Sequence, residues 1–555
     1  MAKSCKKRLD LLEKSCNFAT EIKYFQIMGT YINIGNIPFQ SALNGEYIDK
    51  SELISVINAT LNTERRFSCV TRSRRFGKSL AAKMLCAYYD KSCDSRQMFS
   101  NLKISTDPSF SHHLNKYVVI YLDMSKMVSI FKDCEDIVER IQDTVTRDII
   151  DNYPDIETRQ GEPFQDYLLR INEKTGEQFV MIIDEWDAIC REFKPQSKSM
   201  DNYISWFRGM FKDVNAARIF AGVYLTGILP IKKYKTESAL NNFTEYSMIV
   251  PGRLSGLFGF TEDEVTALCT KYNMGIDEMK KWYDGYKIGK QQSIFNPNSV
   301  IQAIFNDECA SYWATTGAYE NVAQYIQMNF EGLKDDIIKM LAGGKCKVNT
   351  TSFSNDLSII NCKDDVLTVL IHLGYLSYDG NSQECYIPNK EVSGEMVNAV
   401  NANGWDIVSN AIKESESLLN ATLAGDEDAV AKGIELVHDQ NTSILSYNNE
   451  NSLSCVLSLA YYFARNNYIF HRELPTGKGF ADLVLIPRIN VSLPAIILEL
   501  KCDKNASSAI SQIKDKNYKG IVSEYTGDII LVGINYDRKS KRHSCKIERY
   551  NSHQG

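Results

Sequence analysis

Short runs of apolar residues recur through the first half of the chain. Residues 117–122 (YVVIYL), 179–183 (FVMII) and 220–226 (FAGVYLT) are each continuous and long enough for a strand that is buried on both faces. An earlier run at Phe67–Thr71 is followed by apolar residues at helical spacing, which predicts a strand, a loop and a helix. Buried strands separated by helical stretches predict a parallel α/β sheet.

The pattern becomes mainly helical beyond about residue 259. The segment FTEDEVTALCTKY carries Thr261 and, three residues later, Glu264, a capping-box arrangement at a helix N-terminus. Farther on, DDVLTVLIHLGYL predicts a helix that ends at Gly374, and YLSY and CYIP predict two short strands around the turn DGNSQ. This helix and hairpin predict either a winged-helix-like module or an ordinary α+β packing unit.

The C-terminal segment predicts a compact α/β domain. A helix (SLSCVLSLAYYFA), two strands (FADLVLIP and AIILELK), a helix (SAISQIKDKNY) and two more strands (DIILVGINY and HSCKIERY) follow one another. Since domains hold roughly 100 to 200 residues, 555 residues predict about three of them. We expect a leader over residues 1–30, an α/β domain over 31–258, a helical region over 259–440 and a second α/β domain over 441–555.

The charge balance excludes a basic field over the whole chain. The 63 Lys and Arg residues face 69 Asp and Glu residues, so any contact with nucleic acid must be local. Two clusters are candidates for such a contact. The first consists of Arg72, Arg74 and Arg75, and the second of Arg538, Lys539, Lys541, Arg542, His543 and Lys546. A turn or a solvated face explains the second cluster at least as well.

Cysteine usage and the N-terminus predict a reducing, cytoplasmic setting. The 15 cysteines stand singly without a CxxC pair, and the seven histidines complete no zinc pattern. The start MAKSCKKRLDLLEKSC lacks the apolar region of a secretory signal. Residues 216–231 are too short and too interrupted to span a bilayer, so we expect no membrane partner.

The loop after Phe67–Thr71 carries part of a phosphate-binding motif. Such a loop needs backbone amides curled at a helix N-terminus, a lysine that reaches the outer phosphates and a hydroxyl for Mg²⁺. Gly77, Lys78 and Ser79 supply that end, whereas Arg72 stands where the motif GxxxxGK[ST] has its first glycine. The preceding strand and the following helix favour ATP binding.

A second motif, IIDE, ends the later apolar run at residues 179–183. In a nucleotide site of this kind, Asp184 would hold Mg²⁺ through its water shell, and Glu185 would orient or deprotonate the attacking water. Thr226 ends the next buried run and would lie near the γ-phosphate, although an ordinary structural role explains it equally well. A strand-end helix cap is the structural alternative for Asp184 and Glu185.

The chain resembles the AAA-ATPase-like family that is fused to a PD-(D/E)xK nuclease domain. The resemblance covers roughly residues 30–320 and, separately, the C-terminus. It rests on the segments YIDKS, TRSRRFGKSL, IIDEWD, LTGI, SALNNFTE, LFGFTEDEV, WYDGY, FNPNSV and YWATTG. The family usually has Pro where Ser73 stands, and it too lacks the first glycine, so that absence does not by itself exclude ATP. The resemblance implies that the loop residues Arg75, Phe76 and Gly77 lie beside the nucleotide.

The resemblance implies a multidomain α/β fold. A P-loop NTPase parallel sheet would occupy residues 31–258, a helical lid with the winged-helix-like region 259–440, and a PD-(D/E)xK-type domain 441–555. By analogy it also admits a homo-oligomer in which an arginine of one subunit reaches its neighbour's nucleotide. The candidates are not distinguished, and they are Arg191, Arg208, Arg218 and Arg253.

Three residues near the C-terminus fit the nuclease motif. Such a site needs two carboxylates that share Mg²⁺ or Mn²⁺ and a lysine that stabilises or activates the attacking water. Asp482 precedes Glu499 and Lys501 at hairpin distance, and on a strand the last two share one face. Alone, an ExK triplet is more often an exposed strand edge.

Neighbouring residues strengthen the nuclease interpretation. Gln512 and Tyr518 match the glutamine and tyrosine that the family carries in the next helix, and Glu450 opens the helix ahead. The segment RELPTGKG resembles the family's lead-in to the site, although Phe480 stands where an arginine is frequent. Glu473, in that segment, is a weaker candidate that also fits a simple ion pair.

Two functions are consistent with these motifs. The first is an ATP-dependent or ATP-gated nuclease that cuts DNA or RNA, with ATP, Mg²⁺ and, at the nuclease site, Mg²⁺ or Mn²⁺. The second is a nucleotide-switched protein that binds nucleic acid or signals through an inactive nuclease fold. The acidic net charge and the missing first glycine make the second credible.

Overall fold

A computed structural model describes most of the chain from residue 29 onward. The described residues are 29–132, 134, 136–159, 161–193, 198–231, 240–313, 318–328, 330–355, 357, 359–402, 406–441, 457–476, 479–488, 491–515 and 527–550. They form two compact units. The first comprises residues up to 312, 348–383 and 388–390, and the second comprises 313–347, 384–387 and the chain from 391 onward.

The first unit contains a five-stranded parallel sheet in the order β2-β3-β4-β1-β5. Its strands are β1 (Phe67–Thr71), β2 (Val118–Asp123), β3 (Phe179–Asp184), β4 (Phe220–Gly227) and β5 (Thr244–Tyr246). The surrounding helices are α1 (Ile37–Leu43), α2 (Glu52–Asn58), α3 (Lys78–Tyr89), α4 (Arg96–Phe99), α5 (Phe110–His113), α6 (Met124–Phe131), α7 (Ile137–Asn152), α8 (Phe164–Thr175), α9 (Ala188–Glu192), α10 (Lys198–Phe211) and α11 (Ala216–Ile219).

Both faces of this sheet are covered, as the continuous apolar runs require. On one face, Ile183 and Leu225 belong to a core that also includes the helix α7. On the other face, Ile182 and Tyr224 pack with α3. Because the strands are parallel, their carboxyl ends lie at one edge, where Thr71, Asp184 and Thr226 are found.

The rest of the first unit is mainly helical. It holds α12 (Glu262–Tyr272), α13 (Ile276–Tyr283), α14 (Pro297–Asn306), α17 (Lys363–Leu373), and the strands β6 (Phe260–Thr261), β7 (Tyr286–Ile288), β8 (Gln291–Phe295) and β10 (Ser377–Asp379). The capping box is confirmed, because Thr261 accepts from the Glu264 amide while the Glu264 carboxylate accepts from the Thr261 amide. Gly374 ends α17 in the left-handed conformation, with φ of 90°.

The second unit contains a five-stranded mixed sheet in the order β12-β13-β14-β15-β16. Its strands are β12 (Tyr468–Thr476), β13 (Gly479–Pro487), β14 (Ala495–Cys502), β15 (Ile529–Asp537) and β16 (Arg542–Tyr550). Only β14 and β15 are parallel, and the connection between them includes α21 (Ala506–Asp515). The other elements are α15 (Ala318–Ile326), α16 (Leu333–Leu341), α18 (Lys390–Ala402), α19 (Asp406–Ala424), α20 (Glu427–Asn441), β9 (Cys346–Lys347) and β11 (Glu384–Tyr386).

The predicted fold class is confirmed in its main parts, a parallel α/β sheet, a mainly helical middle and a C-terminal α/β domain. The predicted helix and two strands around the turn DGNSQ are present, and the winged-helix-like interpretation stays a prediction. The strands β5 and β12 were not predicted, since β5 has only three residues and β12 is interrupted by polar side chains. The described cysteines are free thiols.

Candidate functional site

The phosphate-loop residues form a tight turn between β1 and α3. Gly77 has φ of 87°, in the left-handed region that favours glycine, and it precedes the first helical residue, Lys78. The Lys78 side chain is buried, and its Nζ donates to the Ser73 carbonyl oxygen at 3.1 Å. Lys78 Nζ also lies 3.6 Å from Glu185 Oε1. The ammonium group therefore lies against the loop and next to the IIDE motif.

Arg72, which replaces the first glycine of the motif, does not crowd the loop. Its guanidinium is fully buried and donates to the carbonyl oxygens of Thr71, Tyr246 and Leu254 at 2.8, 2.8 and 3.3 Å. It also lies over the Phe258 ring, 5.2 Å from the centroid. Burial lowers the pKa of Arg72 to about 10, which leaves the group charged at neutral pH. Arg72 thus ties the loop to the polypeptide that leads into α12.

The side chains of three further loop residues are also engaged in packing. Ser73 Oγ donates to the His372 carbonyl oxygen at 3.4 Å, and Arg75 Nη1 donates to the Tyr312 carbonyl oxygen at 3.1 Å. The buried Phe76 ring meets the Tyr286 ring edge to face, with centroids 5.1 Å apart. Any contribution of Arg75 and Phe76 to nucleotide binding would therefore come mainly from their backbone amides.

Asp184 lies at the end of β3, opposite α3. Burial raises the pKa of Asp184 to about 6, against the opposing effect of a hydrogen bond from Ser79. The Tyr121 hydroxyl donates to Asp184 Oδ2 at 3.5 Å. The Ser79 hydroxyl and the Asp184 carboxylate are the oxygen donors that Mg²⁺ prefers, so this pair fits the metal that accompanies ATP.

Thr226 lies on the neighbouring strand, β4. Its side chain is fully buried, and its hydroxyl has no hydrogen-bond partner among the described residues. The Thr226 carbonyl oxygen accepts from the Trp186 amide at 2.9 Å, which joins the end of β4 to the turn after Asp184. The structure therefore brings Thr226 next to the IIDE motif, and its part in sensing phosphate stays a prediction.

Glu185 is held by two cations. It has φ of 52°, and its carboxylate lies 2.5 Å from Arg191 Nη2 and 3.6 Å from Lys78 Nζ. Arg191 is in turn fixed by Asp187, whose carboxylate is 3.1 Å from Arg191 Nε and accepts from the Ile228 and Leu229 amides. Sequence reasoning missed this ion pair. The nearest signal was the four-residue spacing of Asp187, which immediately precedes α9, and Arg191, which lies on it.

The raised pKa of Asp184 predicts a pH-dependent metal requirement. Mg²⁺ binds the carboxylate form, which predominates above a pH of about 6 and is lost as the pH falls through that value. We expect the Mg²⁺-dependent part of ATP affinity to fall about tenfold per pH unit below that value. The measurement is ATP affinity with and without Mg²⁺ between about pH 5 and pH 8.

The variant Asp184→Asn is the control for this prediction. Because this variant has no titrating carboxylate at position 184, it should bind ATP weakly in the presence of Mg²⁺ at every pH. The difference in its ATP affinity with and without Mg²⁺ should not change with pH. The arm without Mg²⁺ corrects for protonation of ATP itself. An unchanged Mg²⁺ effect in wild type at the acidic end would contradict the assignment.

The second candidate site lies in the C-terminal sheet. Glu499 and Lys501 share the face of β14 that packs on α21, and Glu499 is only 2% exposed. Lys501 Nζ donates to Glu499 Oε1 at 2.9 Å, and Gln512 Nε2 of α21 donates to the same oxygen. The predicted residues Glu499, Lys501 and Gln512 are therefore in direct contact.

Close packing of α21 on β15 places Gln512. A Cβ atom at Gly533 would lie 2.4 Å from the Ala506 carbonyl oxygen and 3.0 Å from Ala509 Cβ. Gly533 pairs with Glu499 across the two parallel strands. The absence of a side chain at Gly533 therefore lets the helix approach the strand level at which Glu499 lies. This glycine was not singled out from the sequence.

The remaining nuclease candidates are described in part or not at all. Asp482 is on β13 beside Leu483, which pairs with Leu498, so its backbone lies on the strand next to Glu499. Glu473 lies on β12, and the side chains of both Asp482 and Glu473 are outside the described part of the structure. Glu450 and Tyr518 lie outside the described residues altogether.

Comparison with known proteins identifies two domains. Residues 38–236 match the model of the family described as "Predicted AAA-ATPase", and residues 448–545 match that of the PD-(D/E)XK nuclease superfamily. The fold and the matches thus identify a predicted AAA-ATPase domain at residues 38–236 and a C-terminal PD-(D/E)XK nuclease superfamily domain at residues 448–545. This confirms the resemblance noted in the motifs.

The similarity to individual proteins is remote. No curated protein matches the chain. A crystal structure of a DNA replication initiation factor shows 9% identity over 54% of this chain and 72% of that chain, with a TM-score of 0.23. The Aeropyrum pernix ORC2 protein in its ADPNP and ADP complexes shows 12% identity over 64% of this chain and 96% of that chain, with a TM-score of 0.30. Similarity at this level does not establish a function.

No helix of the described ranges is both long enough and apolar enough to cross a bilayer.

Proposed function

We propose that the chain binds ATP with Mg²⁺ at residues 72–79 and cleaves phosphodiester bonds of DNA or RNA at a metal site around Glu499, under the control of the bound nucleotide. The observation that carries the nuclease part is the contact of a buried carboxylate, Glu499, with Lys501 and Gln512 at one end of β14. We assign the nucleotide-binding domain to residues 31–258, the helical lid to 259–440 and the nuclease domain to 441–555.

Each residue of the nuclease site has a distinct role in this proposal. Glu499 and Asp482 would hold the divalent ion, which when bound supplies an activated water and a positive charge beside the phosphate. Gln512 positions Glu499 by donating to its Oε1. Lys501 keeps its ammonium group at the same oxygen, where it can stabilise negative charge on the reacting phosphate.

The nucleotide site works through its own charged groups. Lys78 would leave the Ser73 carbonyl oxygen and bind the outer phosphates of ATP. Ser79 and Asp184 would hold Mg²⁺, which when bound neutralises charge between the outer phosphates. Glu185 could act as the base for water only after its carboxylate leaves the ion pairs with Arg191 and Lys78.

Metal-dependent cleavage, measured with and without ATP, tests the proposal. Full-length protein is incubated with Mg²⁺ or Mn²⁺ and with plasmid DNA, DNA oligonucleotides or RNA oligonucleotides. We expect cleavage that requires the metal and changes in rate when ATP is added. Cleavage at the same rate with and without ATP would contradict control by the nucleotide. Failure to cleave any of the substrates would contradict the nuclease function.

Substitution of Glu185 tests ATP turnover. Since a positioned general base contributes about 10²- to 10⁴-fold, Glu185→Gln should bind ATP but hydrolyse it slower by a factor in that range. Phosphate release and ATP affinity are the two measurements. Glu192→Gln, on the same short helix as Arg191, is the matched control and should hydrolyse ATP as wild type does. Equal turnover in Glu185→Gln and wild type would remove Glu185 from this role.

A nucleotide-switched binding protein is the second candidate, and the ion pairs of Glu185 favour it. The Glu185 carboxylate, held 2.5 Å from Arg191, is not available to activate water. Slow hydrolysis of ATP is what a nucleotide switch requires. If the chain is such a switch, wild type should hydrolyse ATP very slowly, and Arg191→Ala should hydrolyse it faster because Glu185 is released. If wild type and Arg191→Ala both hydrolyse ATP slowly and nucleic acid binds without metal, the protein is a switch whose slow turnover does not depend on Arg191.

A further inference from the structure

The turn between β15 and β16 concentrates positive charge. Residues 537–542 (DRKSKR) contain four basic side chains and one acidic side chain, whereas the whole chain has a net charge of −6. The basic side chains are exposed. They are Arg538, Lys539, Lys541 and Arg542.

The acidic groups of this region are already engaged. Hydrogen bonds from Ser540 hold the pKa of Asp537 below its usual range, and that carboxylate accepts from the backbone amides of the turn. Asp503 lies 3.5 Å from Arg538. No carboxylate among the described residues forms an ion pair with Lys539, Lys541 or Arg542. Asp537 lies near Lys539 and pairs with Arg542 across the two strands, so the turn keeps an excess of positive charge that this single carboxylate does not balance.

Strand register places this turn on the face that carries the nuclease candidates. Lys501 pairs with Asn535, and Arg542 pairs with Asp537, two residues farther along β15. Because paired residues and residues two apart share a face, Arg542 lies on the same face as Glu499 and Lys501. Two residues along the strand and two strand spacings separate Arg542 from Lys501, which is about 12 Å.

That separation is short enough for one nucleic-acid strand to reach both positions. A duplex strand advances 3.4 Å along the helix axis per nucleotide, so phosphates within a few nucleotides of the one at Glu499 lie about 12 Å from it. A phosphodiester group held at Glu499 and Lys501 would place later phosphates of the same strand near the turn. Flexible lysine and arginine side chains can reach them as sequence-independent contacts.

We infer that the exposed turn of residues 538–542 is a binding surface for the phosphate backbone of the nucleic acid that enters the site at Glu499 and Lys501. This inference rests on the proposed nuclease function for the identity of the substrate. The turn holds the strand beyond the cleavage position through charge, without reading its bases. DNA and RNA share this backbone chemistry, and the experiment distinguishes them.

The test is a double substitution of two exposed cations, Lys539→Gln with Arg542→Gln. Lys541 is left unchanged so that the one residue of the turn with a left-handed conformation, with φ of 56°, is not altered. Binding to a fluorescent DNA duplex, its single strand and an RNA of the same sequence is followed by anisotropy, with Ca²⁺ replacing Mg²⁺ to prevent cleavage. The matched control is Lys339→Gln with Lys432→Gln, two exposed lysines on α16 and α20 of the same unit.

We expect the turn variant to bind its preferred probe about tenfold or more weakly at 0.1 M salt and to lower the salt-dependence slope by about two, one for each lost phosphate contact. The control pair should match wild type, and melting curves should show that both variants are folded. The probe whose affinity falls most in the turn variant identifies the backbone that the turn recognises.

Wild-type affinity and slope in the turn variant would overturn the inference, as would an equal loss in the control pair or the absence of binding to all three probes. Cleavage by wild type is measured separately. If wild type binds nucleic acid through the turn but cuts no substrate, the nuclease proposal is wrong and the binding surface stands. If wild type cuts but the turn variant binds with unchanged affinity, the nuclease proposal stands and the binding surface is wrong.

Discussion

Metal-dependent cleavage is expected to fall to background in Glu499→Gln. At the nuclease site, Glu499 is the predicted metal ligand whose side-chain contacts are described, and both of its neighbours, Lys501 and Gln512, donate hydrogen bonds to its buried carboxylate. Glutamine keeps a carbonyl oxygen that can accept both bonds, so the fold should persist. It lacks the negative charge that a divalent ion requires, so metal binding and cleavage should be lost together.

A set of variants separates metal binding from the chemical step. Asp482→Ala should also lose both metal binding and cleavage. Lys501→Ala should still bind metal and nucleic acid but cut more slowly by roughly 10²- to 10³-fold, since it removes a charge that acts on the reacting phosphate. Calorimetric titration with Mn²⁺ and a cleavage assay are the two measurements.

Glu548→Gln is the matched control for this set. Glu548 lies on β16 of the same sheet and forms an exposed ion pair with Lys514 at 2.5 Å. An exposed pair of this kind contributes little, so the control should bind metal and cut as wild type does. Cleavage by Glu499→Gln at the rate of Glu548→Gln would place the catalytic metal elsewhere.

ATP binding is expected to be lost in Lys78→Ala, by about 10²-fold or more in affinity. Each hydrogen bond from a charged group contributes about 1.5 to 3 kcal/mol, and Lys78 could donate more than one to the outer phosphates. Lys78 is buried beside Glu185, but that carboxylate retains its ion pair with Arg191, so the variant does not leave Glu185 uncompensated. The fold should therefore be retained.

Lys83→Ala, on the same helix, is the control for Lys78→Ala. Affinity is measured directly with a fluorescent ATP analogue and, independently, as the rise in melting temperature that ATP produces by binding the native state. Wild type and Lys83→Ala should show both signals, and Lys78→Ala neither. Equal ATP affinity in Lys78→Ala and wild type would mean that the loop of residues 72–79 is not the nucleotide site.

Local sequence patterns determined the elements that carry these sites. Continuous apolar runs predict β3 and β4, because a strand that is covered on both faces has no solvent-facing positions and so does not alternate apolar and polar residues. The GKS segment after β1 predicts a loop and a helix N-terminus, and the alternation in AIILELK places Glu499 and Lys501 on one face. Each of these depends on neighbours only a few residues apart, so a single sequence can reveal it.

Tertiary structure alone decided the partners of the charged groups. Arg72 stands in place of the motif's first glycine, and its role follows from carbonyl oxygens at Tyr246 and Leu254, 174 and 182 residues away in the sequence. Glu185 looked like a free catalytic base, whereas packing of the helix α9 places Arg191 against it. The basic turn of residues 538–542 fitted an ordinary solvated turn until strand register placed Arg542 on the sheet face that carries Lys501. Such contacts depend on how distant segments pack together, and no local periodicity records that packing.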